Sequence, residues 1–135
     1  MNTTYNVTVL GTPAVFYIEG TEKLEVPFIA GQTYIFDQSD PSNAGEQLVF
    51  GTTPDDKINL YTTGVTIMGT PGQPGAYTQI DVPDPAPSSL YYYSLNRNGM
   101  GYSITGMVGY SPLSAIFNGI TQPTFYWDFR TTTPY

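Results

Sequence analysis

Apolar and polar residues alternate along most of the chain in short runs cut by glycine and proline, and almost nothing keeps the ~3.6-residue period of an amphipathic helix. The pattern predicts β-structure throughout. The predicted strands are Tyr5–Leu10, Ala14–Glu19, Leu24–Phe28, Thr33–Asp37, Leu48–Gly51, Gly64–Met68, Ala76–Val82, Ser89–Leu95, Tyr102–Gly106 and Thr124–Phe129. Between them, Gly20-Thr21, Ala30-Gly31, Asp40-Pro41-Ser42-Asn43, Thr53-Pro54-Asp55-Asp56 and Gly69–Gly75 read as turns. Proline presets φ there, glycine accepts positive φ, and Asx side chains bond their own backbone. Short strands with turn signals every ~8–12 residues predict a sandwich or a barrel. One segment departs: Ser111-Pro112 ahead of Leu113–Phe117 and Asn118-Gly119 carries helix start and stop signals, which predict a short helix over 111–118. Pro83-Asp84-Pro85-Ala86-Pro87 is too proline-rich to pair within a sheet and reads as a stiff surface connection.

Length fits one domain over 1–135, since a chain of this size buries about two-thirds of the surface it exposes when unfolded. No repeat of fixed period is present. Four Lys and Arg stand against eleven Asp and Glu, and a net charge of −7 argues against nucleic acid and anionic membranes as partners. The longest apolar runs, Ala14–Ile18 and Ala115–Phe117, fall far short of the ~18 residues of a membrane span. Neither a basic n-region nor an apolar h-region follows Met1, so use without Sec export is expected. The charged fraction of 11% is well below the roughly 25% of ordinary domains, while tyrosine alone numbers 12, a composition suited to contact with other protein.

The sequence contains no Cys and no His. That removes disulfides, thiolate nucleophiles, the commonest general base and the commonest metal ligand. Gly109-Tyr110-Ser111-Pro112 is not a nucleophile elbow, because the second glycine is missing. Two carboxylate pairs, Asp37 with Asp40 and Asp55 with Asp56, could share a site. Both fall in predicted turns, where local backbone hydrogen bonding is the stronger reading. A Ca²⁺ loop over Asp37–Asp40 is a sharper reading, but the EF-hand spacing is absent and the loop lacks a closing bidentate Glu. Neither catalytic residues nor a cofactor are expected, and the protein is not expected to be an enzyme.

Two stretches are distinctive. Phe36-Asp37-Gln38-Ser39-Asp40-Pro41-Ser42-Asn43-Ala44-Gly45-Glu46-Gln47-Leu48-Val49-Phe50 and Tyr91-Tyr92-Tyr93-Ser94-Leu95-Asn96-Arg97-Asn98-Gly99-Met100-Gly101 resemble a cupredoxin-like domain of structural proteins of marine and cyanobacterial tailed phages. Tyr61–Thr66 and Gly69–Thr78 resemble two further motifs of that family, in the same order. The resemblance covers roughly Tyr17 to Gly101 and implies a Greek-key β-sandwich. In the family a His, then a Cys, a His and a Met, form a set that looks like a blue-copper site. Here those positions hold Glu46, Ser94, Arg97 and Met100. Only the weak thioether remains, so no metal is expected. Met100 is expected to pack in the core or a loop. Glu46 and Arg97 could form an ion pair in place of the metal cross-link, which, if partly buried and bidentate, would preserve loop geometry without redox activity; two separately solvated side chains are the alternative.

In Tyr91-Tyr92-Tyr93 the outer two should share one face of a strand and the middle one the other, with at least one in the core. At the C-terminus, Phe125, Tyr126, Trp127, Phe129, Arg130 and Tyr135 form an aromatic cluster, either an interface strand or arm over about 124–135 or the last strand of the sandwich. The resemblance implies a virion structural protein assembled in the host cytoplasm. Its expected partners are the major capsid protein, other virion proteins and copies of itself. Capsid decoration, as a cement protein, is the leading expectation, and a tail or tail-fibre module binding the host surface is the alternative.

Overall fold

The computed structural model describes residues 2–106. Ten strands fill that span: β1 (Asn2–Leu10), β2 (Val15–Ile18), β3 (Thr21–Glu22), β4 (Val26–Pro27), β5 (Thr33–Asp37), β6 (Leu48–Gly51), β7 (Val65–Met68), β8 (Tyr77–Asp81), β9 (Tyr91–Ser94) and β10 (Tyr102–Thr105). The predicted helix at 111–118 and the predicted strand Thr124–Phe129 lie outside the described residues. Nine of the predicted strands contain or overlap an observed one. β3 was expected as part of the Gly20-Thr21 turn. It forms instead as the second arm of a tight hairpin, in which Gly20, with φ of 79°, carries the left-handed step. The segment expected as Leu24–Phe28 pairs only over Val26–Pro27. Pro27 has no amide to donate, and β4 accordingly lies at a sheet edge.

The strands make two sheets, one of six in the order β3-β2-β1-β5-β8-β7 and one of four in the order β4-β10-β9-β6. The chain passes from one sheet to the other after β3, β4, β5, β6 and β8, so neither sheet is an up-and-down meander. This is an all-β sandwich, the fold class expected. Both sheets are mixed: β1 runs parallel to β5, and β10 parallel to β4. β1 divides its length, with Asn2–Asn6 pairing β5 and Val7–Leu10 pairing β2.

Alternation places the core. Phe16 and Ile18 on β2, Tyr34 and Phe36 on β5, and Ile80 on β8 are buried from the larger sheet. Leu48, Phe50, Tyr92 and Ile104 meet them from the smaller one. The rings interlock across the gap: Phe36 lies 5.5 Å from Phe50 in an edge contact and 6.3 Å from Tyr92, and Phe28 stacks on Tyr34 at 4.3 Å. Rings at these separations contribute beyond the area they bury, by about 0.5–1.5 kcal/mol per pair.

The loop at 52–60 folds back on the edge of the smaller sheet. A bridge between Gly51 and Leu60 and a bond from Tyr61 N to Phe50 O at 2.8 Å hold it there, so β6 is buried along its length. A Cβ at Gly51 would sit 2.0 Å from the Tyr93 hydroxyl, so a larger residue there would displace that ring.

Candidate functional site

The sequence singled out one cluster with possible chemistry, the positions of Glu46, Ser94, Arg97 and Met100. Glu46 immediately precedes the strand pair formed by β6 and β9, in which Leu48 stands opposite Ser94. That register brings the loop before β6 against the turn after β9. The Ser94 hydroxyl donates to Glu46 Oε1 at 2.8 Å, and Arg97 Nε donates to Glu46 Oε2 at 3.0 Å. Backbone bonds close the same junction: Leu95 N donates to Gln47 O at 2.8 Å, and Gln47 N to the Asn96 side chain at 3.0 Å.

Of the two alternatives for Glu46 and Arg97, the ion pair forms, but not as a fork. One guanidinium nitrogen meets one carboxylate oxygen, and serine takes the other oxygen. The Glu46 side chain is 8% exposed, whereas that of Arg97 is 54% exposed. Such a bridge keeps its positive end hydrated, which spares most of the cost of burying an ion pair.

Met100 is fully buried and belongs to the hydrophobic core, and its carbonyl accepts from Phe16 N at 2.9 Å. It packs as expected. The residues at these positions do not fit copper: a carboxylate already engaged by a hydroxyl and a guanidinium, beside one thioether, supplies neither imidazole nor thiolate.

Three of the four carboxylates in the two candidate pairs serve their own turns. Asp37 Oδ1 accepts from the Ser39 amide and hydroxyl at 2.8 and 2.6 Å. Asp40 caps the one-turn 3-10 helix Pro41–Asn43 by accepting from Ser42 N and Oγ at 3.1 and 2.5 Å. Asp56 Oδ1 accepts from the amides of Ile58 and Asn59, both at 2.9 Å. Asp55 reaches across to Gly99 N at 3.2 Å. Hydrogen bonds from Ser42 hold the Asp40 carboxyl below the usual carboxylate range, and bonds from Asn59 and Ile58 do the same for Asp56. Among the described residues no three acidic side chains converge to hold a metal ion.

Tyr91-Tyr92-Tyr93 splits between faces as expected. Tyr92 enters the core and donates to Leu24 O at 2.7 Å, and burial raises its phenol well above the usual range. Tyr93 points the other way, under the 52–60 loop, and donates to Asp56 O at 2.6 Å. The interface candidates Phe125, Tyr126, Trp127, Phe129, Arg130 and Tyr135 lie outside the described residues.

A search of protein-family models, of curated proteins and of solved structures found no match.

One centre escaped the sequence reading. Gln38 is 1% exposed, and its side chain joins the two sheets. Nε2 donates to Glu46 O at 2.6 Å and to Asn43 Oδ1 at 3.1 Å, while Oε1 accepts from Leu48 N at 3.0 Å. Asn43 in turn donates to Val7 O at 2.8 Å on β1. The buried Thr78 hydroxyl on β8 donates to Leu48 O at 2.9 Å and accepts from Gln47 Nε2 at 3.0 Å. A signal was present: Gln38 continues the inward phase of Tyr34 and Phe36, so an amide stands where alternation calls for an apolar residue.

Proposed function

We propose that the protein is a structural component of a tailed-phage virion, and specifically a decoration protein that reinforces the capsid. The observation that carries this reading is the Glu46–Ser94–Arg97 bridge. It joins, by a hydrogen bond and an ion pair, the two segments whose motifs resemble the phage cupredoxin-like domain and carry that family's ligand positions. A sandwich in which this junction is tied by side chains keeps its shape and has no donor set for electron transfer, which suits a scaffold. Low charge and abundant tyrosine support contact with protein. The aromatic cluster at 125–135 is the proposed anchor on composition, since Trp, Tyr and Arg dominate binding hot spots.

Comparison of virions with and without the protein tests the reading. Decoration predicts a copy number that scales with the major capsid protein and a lower temperature of genome release when the protein is missing. A copy number matching the tail or its fibres, with shell stability unchanged, would overturn it in favour of a host-binding module. Deleting Arg130–Tyr135 should leave the sandwich folded and abolish decoration.

A further inference from the structure

The smaller sheet carries a cleft that a scaffold does not need. Its floor follows from register. Tyr91 stands opposite Ser103 across the β9–β10 ladder, and the core residue Tyr92 between Tyr91 and Tyr93 fixes this as the outer face. Lys23, Asp55, Gly99 and Tyr102 complete a cavity of about 410 Å³, within the size range of small-molecule sites. Gly101 also lines it, and a Cβ there would meet the Tyr92 carbonyl at 1.8 Å, so the floor depends on close backbone approach.

Two features set the cleft apart from an accidental groove. Its polar groups are held in place: Gly99 N donates to both oxygens of Asp55 at 3.2 and 3.3 Å, and the Lys23 ammonium sits 5.9 Å from the centre of the Tyr102 ring. Its backbone is also strained. Lys23 and Asp55, with φ of 46° and 58°, are two of the three non-glycine residues in the left-handed region among the described residues. Such conformations cluster at binding and catalytic sites.

The lining selects a ligand. Among the described residues Arg97–Glu46 is the one ion pair, so neither Lys23 nor Asp55 has an ion-pair partner there. An anionic ligand would meet the Asp55 carboxylate, and a cationic one the Lys23 ammonium. A wholly apolar ligand would strip water from both charges without replacing it. What fits is an uncharged molecule with a C–H face to lie on the Tyr91 ring and hydroxyls that both donate and accept. We propose that the cleft binds a neutral saccharide, with its C–H face against Tyr91 and its hydroxyls bridging Asp55, Lys23 and Ser103; Tyr102, opposite Tyr92 and so on that residue's face of the ladder, holds Lys23 at the rim, and the Ser103 hydroxyl, already given to Glu25, serves as an acceptor. This stands apart from the virion proposal and survives its failure.

Saturation-transfer NMR on the full chain tests the site. The probes are glucose, galactose, mannose and N-acetylglucosamine, with trisaccharides of each. At least one should receive saturation through its ring C–H protons, with Kd about 1 mM, the affinity expected of a ligand with so few atoms. Asp55→Asn suits the left-handed backbone and keeps an acceptor for Gly99 N. It should leave the melting temperature unchanged and weaken binding about ten-fold, as expected when a charged acceptor is lost. Tyr91→Leu should abolish the signal, and if that variant fails to fold, Asp55→Asn alone decides. Absence of saturation for every probe at about 50 mM, well above that Kd, would overturn the proposal. So would binding that Asp55→Asn leaves intact, or a preference for glucose 6-phosphate, added as an anionic probe, over glucose.

Discussion

The molecule has two polar centres within a few residues of each other, and they obey different rules. Around Gln38 every group is neutral, and the cluster is buried throughout, because each donor finds an acceptor of the protein itself. Around Glu46 the central group carries a charge, and the cluster is buried at one end only, with Arg97 left half in water. The difference teaches how much polarity a small sandwich can enclose. A satisfied amide network costs little to bury, whereas a charge needs either a hydrated partner or a desolvation cost of several kcal/mol. The two centres share an atom group, since the Glu46 carbonyl takes the Gln38 amide while the Glu46 carboxylate takes Ser94 and Arg97.

Breaking the neutral centre should have the largest effect. Gln38→Ala orphans Leu48 N, Glu46 O and Asn43 Oδ1 in the interior. At about 1–3 kcal/mol for each unsatisfied buried group, and with some relaxation, the loss should be on the order of 4 kcal/mol. Urea denaturation measures it, and the loss should persist in 1 M salt, where the Debye length is only about 3 Å. A loss under about 1 kcal/mol would mean that water replaces the amide and that the two centres do not differ in kind.

The charged centre should respond more weakly. Glu46→Ala leaves the buried Ser94 hydroxyl without its acceptor, at about 1–2 kcal/mol. Arg97 simply hydrates, so a double-mutant cycle between Glu46 and Arg97 should give a coupling below about 1 kcal/mol that shrinks with added salt. A larger, salt-insensitive coupling would place this pair in the class of the Gln38 network.

Tyr92 sharpens the contrast through pH. Its phenol is neutral and core-facing, and burial raises its folded pKa above the unfolded value of about 10. The unfolded chain therefore loses this proton first, and stability, complete below about pH 10, should fall as pH rises beyond it. Tyr92→Phe should cost about 1 kcal/mol at neutral pH, by losing the bond to Leu24 O, and flatten the alkaline decline.

The smallest effect belongs to Asp40, which caps the turn that presents Asn43 to Gln38. Its folded pKa is lowered by the Ser42 bonds, so its contribution is present above about pH 4 and lost as pH falls through the folded value. Asp40→Asn keeps a good cap and should remove only that acid dependence, read as a change in the slope of the urea midpoint against pH.

The strands Thr33–Asp37 and Leu48–Gly51 were legible to the residue, because each sits between strong turn signals and one face of β5 alternates cleanly. The outlying role of Gln38 was less legible. Its in-phase position marked it for burial, but its partners Asn43, Glu46 O and Leu48 N reach it only because the chain turns back through the 3-10 turn into the other sheet, and the link to β1 is made by Asn43. Glu46 and Arg97 were paired by resemblance of their segments to a family with converging ligands. Serine as the taker of the second carboxylate oxygen followed only from the β6–β9 register.

Local chemistry sufficed for what is decided within a few residues: strands from period-two alternation, turns from proline, glycine and Asx, and a lack of strong metal donors from the absence of His and Cys. The tertiary structure alone decided the parallel pairing of β1 with β5, the burial of β6 beneath a returning loop, the hub at Gln38 and the gathering of Lys23, Asp55 and Tyr91 around one cleft. These depend on which distant strands meet and in which register. A register is chosen by the whole set of facing side chains at once, so no single segment carries it.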